Sequence, residues 1–330
     1  MIHLKRLPIA LAIAGLVLAT LLVGVYGFGR IANAMLSVGV PGFALFCAWQ
    51  ILVIALLGVA WRVIAPVTQR RALAIFVWGR MVRDSAASCL PFSSVGGFVL
   101  GARAVTLHGI SPSVATISTV VDITAEFAAE ILFAAGGLLI LLGRTSNHAV
   151  ALSAEIGLGL ALIAAAAVLW LQRGVVPILV RLGRRILGSW LKNDGSGRIG
   201  IPDAELAAMY GDSGRLTLGV ALHLLGWIGK GVGNWIAFRL LGSNIGLTEA
   251  LAIEGLLHVL LATAILVPGY AGVQEAGYVG LGALFGAPPE VSLGVSLIRR
   301  ARDIAIGIPI LLIWQLFEAR RLRNPPRQIS

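Results

Sequence analysis

Charge is what this sequence has least of. Only 12% of its 330 residues are Asp, Glu, Lys or Arg, while 58% are hydrophobic, and so thin a polar supply does not clothe a water-soluble domain of this length. Cysteine is nearly absent too. Cys47 and Cys89 stand far apart in apolar surroundings, which supports neither a disulfide framework nor a cysteine-built metal site. The five histidines form no HExxH pattern, so no metal and no cofactor is expected. A GxxxxGK[ST] loop is missing as well, which removes that type of nucleotide site as a source of energy.

What is present is apolar sequence in lengths suited to a bilayer, where about 20 helical residues cross ~30 Å of hydrocarbon. Six full spans are expected at 7–29, 39–60, 113–142, 150–171, 216–241 and 291–317. Two shorter apolar stretches, around Pro91 and around Pro268, are too interrupted by Pro and Gly to cross as simple helices and read as re-entrant hairpins. The expected fold class is an all-α polytopic membrane protein, one integral membrane domain over 1–330. Lys5 and Arg6 precede the first run and Ala32-Asn33-Ala34 imitates a signal-peptidase site, but the run exceeds a signal peptide's apolar core, so a retained span is expected.

The formal net charge of +11 does not point to nucleic acid, because the basic residues crowd between and after the apolar runs. With the N-terminus in the cytoplasm, the inner segments hold Lys5 and Arg6; Arg62, Arg70, Arg71, Arg80 and Arg83; Arg173 to Arg198; and Arg320, Arg321, Arg323 and Arg327. The outer loops hold Arg30 and Arg144. Both termini are therefore expected in the cytoplasm of a bacterial-type inner membrane. The count requires the first hairpin to enter from inside and the second from outside.

That arrangement predicts an inverted repeat with halves at 1–145 and 146–330. An offset of 177 residues pairs Pro91 with Pro268, Gly109 with Gly286, Pro112 with Pro289 and Glu126 with Asp303. The shared P-x17-G-x2-P frame carries more weight than the single identities. Between the halves, 172–214 is the one sizeable polar segment; it opens on a basic amphipathic stretch suited to the inner leaflet and reads onward as a cytoplasmic loop. Its Gly211-Asp212-Ser213-Gly214 imitates a serine-protease motif without the partners that chemistry needs, and reads as loop.

Ionisable groups inside spans cost at least ~2.5 kcal/mol each on insertion scales and usually face a cavity or a partner. Asp122, Glu126 and Glu130 fall on one stripe of the third span. Arg299, Arg300, Arg302 and Asp303 lie at comparable depth in the sixth, and the two patches are expected to pair, either as a structural tie or around a substrate. In the second hairpin Pro268, Gly269 and Gly272 break the helix, leaving Gln274 and Glu275 to line a polar pocket; Glu275 contacts an arginine or a cationic group, or caps the helix behind it. The first hairpin offers Pro91 and Gly97 as breaks, with Ser93, Ser94 and Arg103 as its polar set; Arg103 reaches either a substrate or the inner headgroups. His223, Lys230 and Asn234 share a face of the fifth span, Lys230 being placed for a phosphate or for Glu254 and His258, an i,i+4 pair read as a tie.

The blocks LPFSSVGGFVLGARAVTLHGISPS (90–113) and VPGYAGVQEAGYVGLGALFGAPPEVSLGVSLIRRARD (267–303) resemble the transmembrane module of the lysylphosphatidylglycerol synthetase and flippase-like superfamily, especially its stand-alone members linked to hopanoid biosynthesis. The matching positions are Pro91, Gly97 and Arg103, then Pro268, Gly269, Gly272, Gln274, Glu275, Arg299 and Arg300. The resemblance implies lipid handling. Bifunctional members carry a large soluble aminoacyl-transfer domain after this module, and the sequence ends at Ser330 without one, so aminoacyl transfer is not expected.

The leading expectation is a flippase or transporter, not an enzyme, with Arg103, Asp122, Glu126, Lys230, Gln274, Glu275, Arg299, Arg300, Arg302 and Asp303 contacting a lipid headgroup. Asp122 or Glu126 is the expected proton carrier if a gradient drives it. The partners are membrane lipids and, in an accessory reading, lipid-biosynthesis enzymes; the number of subunits is left open. An intramembrane enzyme using Glu275 or Glu126 as general base is the other alternative.

Overall fold

The computed structural model describes residues 28–90, 93–144, 152, 156, 159, 211–264 and 267–323. Nearly all of the spans expected at 7–29 and 150–171 and of the loop 172–214, and the hairpin break at Pro91, lie outside them. Among the described residues the chain forms eight α-helices and no strand: α1 (Phe28–Ile64), α2 (Ala72–Cys89), α3 (Ser93–Leu107), α4 (Pro112–Arg144), α5 (Ser213–Leu240), α6 (Leu247–Thr263), α7 (Val273–Leu284) and α8 (Pro289–Arg323). The all-α expectation holds. Among the described residues three helices are long and apolar enough to cross a membrane: Val38–Ile64 within α1, α4 and α5. In α8 the charges at 299–303 dilute an otherwise apolar run.

The helix ends follow local chemistry. Residues 30–38, expected as an outer loop, are helical, and the chain turns at Gly39, whose φ of 63° suits a residue without a Cβ, before Pro41 opens the apolar part of α1. The end of α1 is closed by Arg62, which donates to the carbonyls of Ala65 and Val67. The serine-protease-like quartet is neither a site nor a loop: Asp212 accepts from the Arg215 N–H at 3.1 Å and caps α5, with Ser213 and Gly214 in the first turn.

The 177-residue offset reappears in the element boundaries. It carries the end of α3 at Leu107 onto the end of α7 at Leu284, and the start of α4 at Pro112 onto the start of α8 at Pro289. Gly109 and Gly286, in the connecting turns, both have positive φ, 92° and 81°.

The described residues fall into two compact units. In the one built from Ile54–Thr124, Gly174–Leu222 and Asp303–Ser330, the core gathers Trp61, Ile75, Phe76, Val105, Ile110 and Ala115. Its hairpin arms α2 and α3 lie against each other through glycines. A Cβ at Gly97 would stand 2.7 Å from the Arg83 carbonyl oxygen, and one at Gly101 2.8 Å from the Arg83 Cβ. Small residues at this spacing let backbones approach, as in other membrane helix pairs.

In the other unit, from Met1–Val53, Ala125–Arg173 and His223–Arg302, the core gathers Phe46, Phe238, Ile253, Leu257, Tyr278, Val295 and Ile298 among others. The second hairpin has the expected break. Pro268–Tyr270 forms a single 3-10 turn with Gly269 at φ 60°, and Gly272 at φ 76° precedes α7. Asn234 of α5 donates to the Ala250 carbonyl at 3.1 Å, tying α5 to α6.

Candidate functional site

The break in the second hairpin is the most highly bonded polar feature of its unit. Glu275, three residues into α7, is 1% exposed. Its Oε2 accepts from the Gly272 N–H at 2.8 Å, which caps the helix where unpaired N–H groups and the positive dipole end favour a carboxylate. Its Oε1 accepts from Arg300 Nε at 2.6 Å and from the Ser296 hydroxyl at 3.2 Å. Both roles expected for Glu275, cap and arginine partner, are filled at once. Arg300 goes further, donating to the Gly269 carbonyl at 3.0 Å and the Tyr270 carbonyl at 3.4 Å. It thereby pins the turn in which Tyr270 holds an uncommon left-handed φ of 53°. Gln274 lies beside it and donates to the Ser296 hydroxyl at 2.9 Å.

The residue of α8 before Arg300 belongs to a second pair in the same unit. Arg299 binds Glu254 of α6 at 2.6 Å and donates to the Tyr278 hydroxyl at 2.8 Å, with Glu254 fully buried. His258 Nδ1 donates to the Glu254 backbone carbonyl at 2.9 Å and stands 3.6 Å from the Glu254 carboxylate. The expected tie between these two is present, with Arg299 as its stronger member. Lys230 rests its ammonium 3.7 Å from the centre of the Trp227 ring, which meets His258 edge-on at 4.5 Å. Its field reaches Glu130, Glu254 and His258. Arg302 is buried with its guanidinium over Phe46 at 4.8 Å.

In the unit that contains the first hairpin, Asp122 is fully buried and bound by Arg83 of α2 at 2.6 Å, with Arg80 at 3.5 Å. Arg80 also meets Asp84 at 2.9 Å, and Arg83 lies over the Phe98 ring at 4.3 Å. The sequence places Arg80 and Arg83 among the loop charges; both are buried in a hairpin arm instead, so they carry no loop charge. Arg103 pairs with Glu318 near the end of α8 at 2.9 Å. Asp303 is half-buried and its carbonyl accepts from the Cys89 thiol at 3.6 Å; Glu126, half-buried on α4, belongs to the other unit.

Within each unit the charged residues of α4 and α8 also meet a hairpin arm. Each patch is bound by the first arm of the hairpin that precedes it: Asp122 by α2, Arg299 by α6. Arg80, Arg83, Tyr278 and Ser296 are the site residues that sequence reasoning passed over. A signal for the arginines was available, since the offset sets Asp122 opposite Arg299 and demands partners of opposite sign in the two hairpins.

Residues 9–310 match the family described as Lysylphosphatidylglycerol synthase TM region. The chain belongs to that family, and with it to proteins of membrane-lipid function. No curated protein and no solved structure matches it.

Proposed function

We propose that this protein moves a lipid with an anionic headgroup between the leaflets of a bacterial-type inner membrane. The observation that carries the reading is Arg300. The side chain of its carboxylate partner Glu275 is 2% exposed, yet 32% of the Arg300 side chain remains accessible at a helix break. Nε and Nη2 donate to Glu275, Nη2 also to the Tyr270 carbonyl and Nη1 to the Gly269 carbonyl, which leaves the second Nη1 N–H of a rigidly held guanidinium for a phosphate oxygen. The N-terminal end of α7 adds a favourable field at the same place.

Family membership supports a lipid as the ligand, and the basic residues flanking the apolar runs support both termini in the cytoplasm. The 177-residue recurrence supports an inverted repeat, the usual architecture for carrying a site from one face to the other. In this reading the protein acts as a carrier. A hopanoid-linked substrate remains within this reading as one lipid to be tried.

The test is leaflet exchange of labelled lipids in proteoliposomes, with phosphatidylglycerol, a zwitterionic phospholipid and a hopanoid-like lipid as arms. Exchange by the wild type, lost in Arg300→Ala and partly kept in Arg300→Lys, is the expected result. Absence of exchange with every lipid by correctly folded protein overturns the reading in favour of an accessory to lipid-biosynthesis enzymes.

A further inference from the structure

Gly269 is the residue of the second hairpin that backbone conformation explains least. Its left-handed φ of 60° suits a glycine, but Tyr270 directly after it holds a φ of 53°. The turn therefore tolerates a side chain in this conformation, at a modest cost. What sets position 269 apart is its surroundings. The residue is exposed. Apart from its two chain neighbours, the one atom within 4 Å of a Cβ built there, among the described residues, is Arg300 Nη1 at 4.0 Å. The missing side chain leaves a gap beside the guanidinium.

The donor that Arg300 has left over belongs to the same atom. One Nη1 N–H goes to the Gly269 carbonyl at 3.0 Å, and the other meets no acceptor among the described residues. The guanidinium is not free to turn towards a ligand elsewhere. Glu275 binds it through both carboxylate oxygens, at 2.6 and 3.2 Å. That carboxylate is held in turn by the Gly272 N–H at 2.8 Å and the Ser296 hydroxyl at 3.2 Å, and Ser296 by Gln274 at 2.9 Å. A ligand oxygen has to come to Nη1, and a single N–H takes a single oxygen.

We propose that Gly269 determines access to this site: one oxygen of a headgroup phosphate passes over the Gly269 α-carbon onto Arg300 Nη1, and a side chain at 269 stands in its way. A phosphate oxygen meeting a fixed guanidinium N–H makes a charge-assisted bond. The inference rests on the reading of this hairpin as the headgroup site, and it adds the route to that site and the residue that keeps it open.

Gly269→Ala and Gly269→Asn separate access from backbone strain, because the two causes rank them in opposite order. Asn adopts left-handed φ more readily than Ala, so strain alone harms the Ala variant more. Blockage harms the Asn variant more, since its longer side chain fills the gap and its amide oxygen accepts the spare N–H. The readout is binding of phosphatidylglycerol to the full chain in detergent, followed by native mass spectrometry. A weakening of roughly twofold is expected in Gly269→Ala and of about tenfold in Gly269→Asn, the scale of one hydrogen bond to a charged group. The same two substitutions at Gly242, where φ is 76° and no described atom lies within 4 Å of an added carbon, are expected to bind as the wild type does. Thermal unfolding is expected to place Gly269→Asn at or above Gly269→Ala, so that the weaker binder is the better folded protein.

Gly269→Ala binding more weakly than Gly269→Asn, or both binding as the wild type does, overturns the proposal. Inorganic phosphate is the competitor. Lipid retained against an excess of it is expected, and displacement of the lipid at equal concentration overturns a lipid as the source of the oxygen. Leaflet exchange by the same variants keeps the two readings apart. The expected ranking in binding, from a wild type that exchanges no lipid, upholds the entry and overturns transport. Wild-type exchange left intact in Gly269→Asn overturns the entry while transport stands.

Discussion

Asp122 and Arg299 stand 177 residues apart at one register position of the repeated frame, and each is bound at 2.6 Å by the opposite charge from the first arm of the preceding hairpin. Arg83 of α2 binds Asp122; Glu254 of α6 binds Arg299. The two halves therefore use one device with its polarity reversed. In each case the carboxylate is fully buried, so removal of the partner leaves a charge that the surroundings do not solvate.

Asp122→Ala is expected to lower stability by about 3 to 5 kcal/mol, since it strands Arg80 and Arg83 in the interior. The thermal unfolding of the purified protein in detergent measures this. Asp122→Leu combined with Arg80→Met and Arg83→Met is expected to recover most of the loss, because apolar residues of similar volume fill the site without a stranded charge. A triple variant no more stable than Asp122→Ala contradicts the account.

The Glu254–Arg299 pair yields to a reversal. Glu254→Arg and Arg299→Glu are each expected to destabilise strongly, and the double variant to regain a good part, because the pair is tightly apposed and partly screened from water. Tyr278→Phe, which removes one hydroxyl from Arg299, is expected to cost about 1 kcal/mol. Additive losses in the double variant would mean that the two residues do not act on each other.

Gly97→Ala tests the close packing of the first hairpin. The new Cβ meets the Arg83 backbone carbonyl at 2.7 Å, and backbone on backbone has no rotamer to escape into, so a loss of about 1 to 3 kcal/mol is expected. Gly96→Ala serves as the control, because nothing lies within 4 Å of its added carbon. Equal melting temperatures for the two variants would show that the arms do not touch through Gly97.

Arg103 separates structure from function. Its pair with Glu318 is about one-fifth exposed on both sides, and such a bridge contributes about 0 to 1 kcal/mol. Arg103→Ala is expected to melt close to the wild type. If lipid exchange nevertheless falls, Arg103 contacts the headgroup directly; if exchange is unchanged, its task is to hold the end of α8.

The helical class, the two hairpins and the 177-residue frame were legible in the amino-acid order. A bilayer obliges the backbone to satisfy its own hydrogen bonds, so apolar length and Pro-Gly interruptions translate almost directly into helix and break. The break at Pro268, Gly269 and Gly272 and the capping place of Glu275 follow from the same local rules, because a turn needs residues that reach positive φ and a helix start favours a carboxylate. The stripe of Asp122, Glu126 and Glu130 is likewise a matter of helical period.

Which charge meets which was decided elsewhere. Period assigns a residue to a face of its helix but leaves open the helix that packs there, and partners such as Arg83 with Asp122 or Glu254 with Arg299 are 39 and 45 residues apart. Arg80 and Arg83 illustrate the gap: in the sequence they are loop charges that set orientation, and only the approach of α2 to α4 makes them the counter-charges of Asp122. The start of α1 was misjudged for a related reason, since the helix over 30–38 depends on a glycine turn at 39 rather than on hydrophobic length. Local chemistry determined the elements of this protein and their breaks; packing alone decided how its few charges are shared.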